Sequence, residues 1–361
     1  MSAGVLVGQL PGRHATAWHY FHDAARLLVG ADATGPSGLH LYRDHPELQF
    51  GPVSIVAALP LSLFGERAGS WVAMGAASVL GLVAFGFVLR TLDALGTRTS
   101  RVTSTAAGAL FVAVWGDIAV RTAHIDDAIA LSATAAATWA CARRDARTAA
   151  VLLGIAAAAK PWALAFAPLA LAVPSRQRAA HLLVVAAIPA LTWLPFVLAE
   201  PATLDVAEHR IEIDPTSTLR AFGVDDDGTP RWTRPAQVIG GMVLAWWAVR
   251  AGRWHAAVLA AVSWRLLLEP GAHRYYTAGA VLGALLVEPA AAPRALPWRA
   301  AGLALVLELT ALPDAPAVAG RWARVCAVVG ALVAVAVARR VSPACARSPA
   351  RAPASSSATA P

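Results

Sequence analysis

Apolar residues in this 361-residue chain gather into long runs and do not alternate with polar ones. Such runs lie near 69–90, 102–116, 126–142, 180–199, 236–249, 254–268, 275–288, 298–313 and 321–338, each bounded by charges or by Pro and Gly. This pattern predicts helices solvated by hydrocarbon rather than the one-sided stripe of a soluble helix. Several runs fall short of the roughly 20 residues of a perpendicular span. Short spans are tolerated where helix ends border a water-filled cavity or are buried in protein. The expected fold class is all-α, a polytopic transmembrane helical bundle of about 10–12 spans.

The connecting segments sort by charge. One set carries Arg90, Arg98, Arg101, Arg143, Arg144, Arg147, Arg176, Arg178, Arg250, Arg253, Arg294, Arg299, Arg339, Arg340, Arg347 and Arg351, against Asp93, Asp145 and the bordering Glu288. The excess of arginine marks this set as cytoplasmic. The other set, made of 13–50, 117–127, 200–235, 265–276 and 313–320, holds almost all the acidic residues and most histidines, and is expected outside. Arg321 and Arg324 run against the trend. Thr148–Val173 has arginines at both flanks, so it is read as a hairpin with Lys160-Pro161 at its tip. Pro52–Phe64 is read as an interfacial or re-entrant helix. One domain over 1–341 follows, with a first outer loop at 13–68 carrying short interfacial helices, a second outer loop at 200–235, and a disordered cytoplasmic tail at 342–361. Val5–Leu10 is too short for a signal peptide, so either a first transmembrane helix is missing from this reading frame, encoded upstream, or the N-terminus crosses unaided. The expected location is the cell membrane, multi-pass, with the active face outside.

Composition supports the membrane reading: 57% hydrophobic and 14% charged residues, where a soluble domain has about 25% charged. The net charge of +8 comes from arginines between apolar runs, without an aromatic-interleaved basic stripe, so no nucleic-acid partner is expected. Cys141, Cys326 and Cys345 are far apart and read as small buried hydrophobes, giving neither a disulfide framework nor a metal site. No Gly-rich nucleotide loop, nucleophile elbow or zincin signature is present, and no cofactor is expected.

Candidate chemistry lies in the outer segments. Asp23, beside His22, opens a short amphipathic stretch ending at Gly30, and either caps a helix or presents a carboxylate at the membrane surface. His124, Asp126 and Asp127 precede a span, where capping competes with acid–base or metal chemistry. Adjacent aspartates on a helix are expected to diverge. Lys160 is the only lysine. A cation in an apolar stretch, before a Pro-initiated helix N-terminus, is expected to face a cavity or the surface and to contact phosphate. His273 and Arg274 are candidates for a phosphate or pyrophosphate, and Tyr275 and Tyr276 fit an aromatic belt. Asp225-Asp226-Asp227 reads as a solvated face.

Taken in order, Asp23 with Ala24-Ala25…Gly30, Leu41-Tyr42, Phe50-Gly51-Pro52…Leu59-Pro60-Leu61, His124-Ile125-Asp126-Asp127-Ala128, Lys160-Pro161-Trp162 and Glu269-Pro270…Tyr275-Tyr276 resemble the C-type membrane glycosyltransferases. The likeness is to the actinobacterial polyprenyl-phosphomannose-dependent mannosyltransferase group in particular. The resemblance implies a sugar, mannose in that group, carried on a polyprenyl phosphate. It also implies a glycan or glycolipid acceptor outside the membrane and inversion at the anomeric carbon. It makes Asp23 the general base, puts Lys160 and Arg274 on the leaving phosphate, and adds His22, Tyr42, His124, Asp126, Asp127, His273 and Tyr275 as substrate-binding residues. The chain departs from the family in Phe50-Gly51-Pro52, where an aromatic-Pro-Pro is usual, and in Glu269, where an aspartate is common. The competing expectation is a transporter or lipid flippase, in which midplane charges such as Glu308 line a path.

Overall fold

The computed structural model describes residues 14–30 and 38–340. Val5–Leu10 and the expected tail at 342–361 lie outside them. The longer helices are α1 (Trp18–Leu28), α2 (Pro52–Ser62), α3 (Gly65–Ala94), α4 (Arg101–Gly116), α5 (Ile125–Ala142), α6 (Ala146–Ala159), α7 (Arg178–Ala199), α8 (Thr233–Arg250), α9 (Ala257–Leu267), α10 (Thr277–Ala291), α11 (Trp298–Thr310) and α12 (Ala317–Val337). A 3-10 helix at Pro161–Leu171 follows α6. No β-strand forms among the described residues; a lone antiparallel bridge joins Glu212 and Gly228.

Among the described residues, four helices are long and apolar enough to cross a membrane: Gly65–Ala94, Arg101–Thr122, Arg178–Ala199 and Ala317–Val337. The second is α4 continued through a π-helical turn at Asp117–Thr122. The other apolar runs form shorter or more charged helices that pack between these four.

Local chemistry sets where the helices start and stop. Ser100 caps α4 by accepting from the Thr103 N–H at 3.0 Å, and Asp145 caps α6 through Thr148 N–H at 3.0 Å. Both satisfy first-turn donors that a helix leaves orphaned. At the end of α3, Gly96 takes φ +72° while Thr97 N–H reaches back to Leu92 O, a glycine-dependent stop.

Small residues then let the helices close on one another. Gly81 leaves a notch in α3 that the Trp115 indole fills while donating to Ala77 O at 2.9 Å. Gly240 does the same in α8 for Trp264, which donates to Ala236 O at 2.8 Å. A Cβ on either glycine would lie 2.0–2.3 Å from the indole nitrogen. Cys141 is buried as expected, whereas Cys326 is exposed, on the surface of α12.

The chain returns alternately to two ends of the bundle. Residues 117–126, 160–162, 203–216, 234–238, 265–276 and 311–315, with parts of 16–50, surround one large cavity. The intervening turns near 95–101, 143–146, 172–178, 250–257 and 291–298 lie at the other ends of the same helices. The segments sorted by charge in the sequence are thus sorted in space. Arg321 and Arg324 are no exception to be explained by topology. Arg321 donates to Arg220 O and the buried Arg324 to Leu307 O and Thr310 Oγ1, so both serve inside the protein.

Candidate functional site

The large cavity, about 1110 Å³, sits where the acid-rich segments meet. Its floor is built around the break between α6 and the 3-10 helix. Lys160 leaves the helix in an extended conformation, φ −140° and ψ 108°, because Pro161 disfavours a helical residue before it. Gly51 N–H and Ser54 Oγ both donate to Ala159 O, at 2.8 and 2.9 Å. The Phe50-Gly51-Pro52 stretch is therefore fastened to the turn that presents Lys160.

The Lys160 ammonium is bonded to Asp126 Oδ2 and lies 3.2 Å from Asp127 Oδ2. The expected divergence of the two aspartates does not occur. They stand in the first turn of α5, where Ala123 at φ +55° turns the chain sharply, and both carboxylates reach the same cation. Asp126 Oδ1 also accepts from the Asp127 N–H at 2.8 Å. His124 Nδ1 lies 3.3 Å from Asp126 Oδ1, and its ring packs 4.1 Å from Tyr275. His124, Asp126 and Asp127 form the one group among the described residues with metal-ligand spacing. The cation those carboxylates face is Lys160.

Two further charge clusters line the cavity. Arg265 is buried between the rings of Trp162 and Tyr276, at 4.3 and 4.4 Å, and its Nη2 pairs with Glu269 at 3.0 Å. Gln237 donates to Leu268 O at 2.8 Å and to Glu269. Trp162 covers the Arg265 guanidinium. Arg274 Nε donates to Glu308, and its Nη2 lies 3.6 Å from Asp117, which also pairs with Arg121 at 3.4 Å. Glu308, the intramembrane carboxylate seen in the sequence, is thus the partner of Arg274. His273 opens on the cavity, and enclosure by its walls holds the imidazole below its usual pKa range; its ring stacks on Tyr275 at 5.3 Å.

Setting aside the paired charges and Glu47, which meets only His45, two charges in the lining stand without an ion pair. Arg234 donates to Gln49 Oε1, Val206 O and His209 O. Among the described residues no carboxylate lies within 4.0 Å of it. Asp214 accepts through Oδ1 from the N–H and the hydroxyl of Thr216, both at 2.7 Å. Its Oδ2 has no protein donor among the described residues, and no cationic nitrogen lies within 4.0 Å. Both charges are held in place by hydrogen bonds without an ion-pair partner in contact. Neither stands out in the sequence, where the 200–235 segment reads as a solvated loop.

The structure brings His124, Asp126, Lys160, His273, Arg274 and Tyr275 to one cavity, with Asp127 just behind. It does not bring the others. Tyr42 is fully buried, donates to Phe50 O at 3.0 Å and packs on Trp193 and Phe196, so it shapes the fold and does not line the cavity. The Asp23 carboxylate is 59% exposed, 3.2 Å from His22 Nδ1. His22 lines a separate, smaller pocket between α1 and α2. The cavity face of α1 is formed by Ala17, Tyr20 and Phe21. Compared with known proteins, the chain matches no family model, no curated protein and no solved structure.

Proposed function

We propose that the chain is a membrane glycosyltransferase that moves a sugar, mannose by the resemblance drawn above, from a polyprenyl-phosphate donor to a glycan or glycolipid acceptor, with inversion. The observation that carries this reading is the pair of charges without a contact ion pair, Arg234 and Asp214, in one cavity roomy enough for two substrates. Transfer of this kind needs a carboxylate within hydrogen-bond reach of the acceptor hydroxyl and a cation on the departing phosphate. Asp214 has a fixed orientation and a free oxygen, which suits the base. Arg234, with a forked guanidinium and no ion pair, suits the phosphate. Lys160, Arg265 and Arg274, already paired, hold the walls and the local charge balance. This reading moves the base from Asp23 to Asp214. The apolar outer surfaces of α3, α7 and α12, where Leu82, Leu183 and Val333 are exposed, are consistent with a bilayer around the site and a lipid-borne donor.

The test is transfer of radiolabelled mannose from polyprenyl-phosphomannose in membranes carrying wild-type, Asp214→Asn, Arg234→Ala or Asp23→Asn protein at equal level. The reading expects transfer by wild type and by Asp23→Asn, and a loss of about 100-fold or more in Asp214→Asn. Full transfer by Asp214→Asn with loss in Asp23→Asn would return the base to Asp23. No transfer by wild type, with donor or lipid moved across vesicles instead, would favour the transporter.

A further inference from the structure

A second cavity, about 330 Å³, lies at the arginine-rich end of the bundle, between the C-terminus of the 3-10 helix, the start of α7 and the end of α8. Its walls include Leu171, Arg178, Trp246, Arg250 and Trp254. Arg178 and Arg250 are both exposed, and among the described residues neither has a carboxylate within 4.0 Å. Two of the few acids of that end are engaged elsewhere. Asp145 caps α6, and Glu288 accepts from the Arg299 and Ala300 N–H groups at 2.9 Å. Arg250 lies over the Trp246 ring at 5.8 Å. Trp254 is buried, and its indole N–H has no acceptor among the described residues. The wall therefore offers two guanidinium groups without a carboxylate partner.

The surroundings decide what kind of anion fits. The helices that supply the arginines continue away from the cavity as exposed apolar surface, with Leu183 on α7 and Val243 on α8. An occupant that satisfies both parts carries a phosphate at one end and hydrocarbon at the other. Arginine pairs in such pockets bind phosphate through their forked donors, and tryptophan is the usual neighbour at headgroup depth. We infer that this cavity is a headgroup site for an anionic phospholipid of the leaflet facing the arginine-rich end. The site is remote from the large cavity and independent of the transfer reaction proposed above.

Lipid binding to the purified full-length chain in detergent, measured by native mass spectrometry, tests this directly. Phosphatidylglycerol is expected to bind about tenfold or more tighter than phosphatidylcholine, the scale set by two arginines near a phosphate. The Arg178→Gln/Arg250→Gln double variant is expected to lose that preference. An Arg101→Gln/Arg294→Gln variant, which removes two exposed arginines from other turns of the same end, is expected to keep it. Both variants change surface side chains, and an unchanged thermal midpoint checks that each is folded. Equal binding of the two lipids by wild type overturns the inference, as does a preference that survives in the Arg178/Arg250 variant. Displacement of phosphatidylglycerol by equimolar glycerol phosphate would overturn the lipid assignment in favour of a soluble phosphate.

Discussion

Gly51 lies so close to the end of α6 that a Cβ on it would stand 1.9 Å from the carbonyl oxygen of Ala158. Backbone is on both sides of that contact, so neither partner yields easily. Gly51→Ala is expected to destabilise the protein by about 1–3 kcal/mol, the usual cost of overpacking. Because Gly51 also fastens the turn that presents Lys160, the same variant should disturb the cavity. Thermal unfolding in detergent checks the first effect. Accessibility of a cysteine placed at Ala272, in the cavity lining, to a charged thiol reagent checks the second, with Cys326 and Cys345 replaced by serine.

Lys160 serves two carboxylates, and its removal leaves both without a cation. Lys160→Met is expected to cost about 3 kcal/mol, the lower end of the range for breaking a buried pair because the ammonium opens on the cavity. Mn²⁺ or Zn²⁺ should then raise the thermal midpoint of the variant and not that of wild type, since His124, Asp126 and Asp127 have ligand spacing once the ammonium is gone. Equal metal response in both proteins would count against the ammonium as the resident cation.

Arg265→Lys keeps the charge facing Glu269 and removes the planar group lying between Trp162 and Tyr276. A loss of about 1–2 kcal/mol is expected from the two ring contacts, read as a lower thermal midpoint. If charge alone mattered, the variant would match wild type.

Asp145 carries a pH dependence whose sign follows from its cap. The N–H and hydroxyl of Thr148 hold its carboxyl below the ordinary 3.8, so the folded state favours the ionised form. The stabilisation is present above the unfolded value and is lost as pH falls below about 3.8 through the lower folded value. The gap in thermal midpoint between wild type and Asp145→Ala should therefore be widest at neutral pH and narrow towards pH 3. A gap that widens on acidification would contradict the cap.

The sorting of charges was legible because it follows from sequence alone: arginine turns and acidic turns alternate, and helices carry each to its own end. The Lys160 turn was legible too, since a proline disfavours a helical residue before it and a lone cation in an apolar stretch favours a break at a surface or cavity. What could not be read was the pairing. Asp126 and Lys160 are 34 positions apart, and only packing of α5 against α6 makes the lysine a partner of those aspartates before it is anything to a ligand. The same blindness hid Asp214 and Arg234. Their place in the proposal rests on the absence of a contact ion pair, and a loop rich in carboxylates gives no hint which one faces inward. Asp23 and Tyr42 sit in short motifs whose order suits a site, yet the Asp23 carboxylate lies outside the large cavity and Tyr42 is engaged in packing.

The tryptophans seated on Gly81 and Gly240 act as latches. Each indole is keyed into its notch and tied to a carbonyl at the same level, so α3 cannot slide along α4, nor α8 along α9, without losing both. These pairs behave as two stiff struts beside the large cavity. Breathing motions that admit a bulky molecule must be taken up at the seams between struts, and the 3-10 helix at Pro161–Leu171, packed on α8 and carrying Lys160 at its head, borders one such seam.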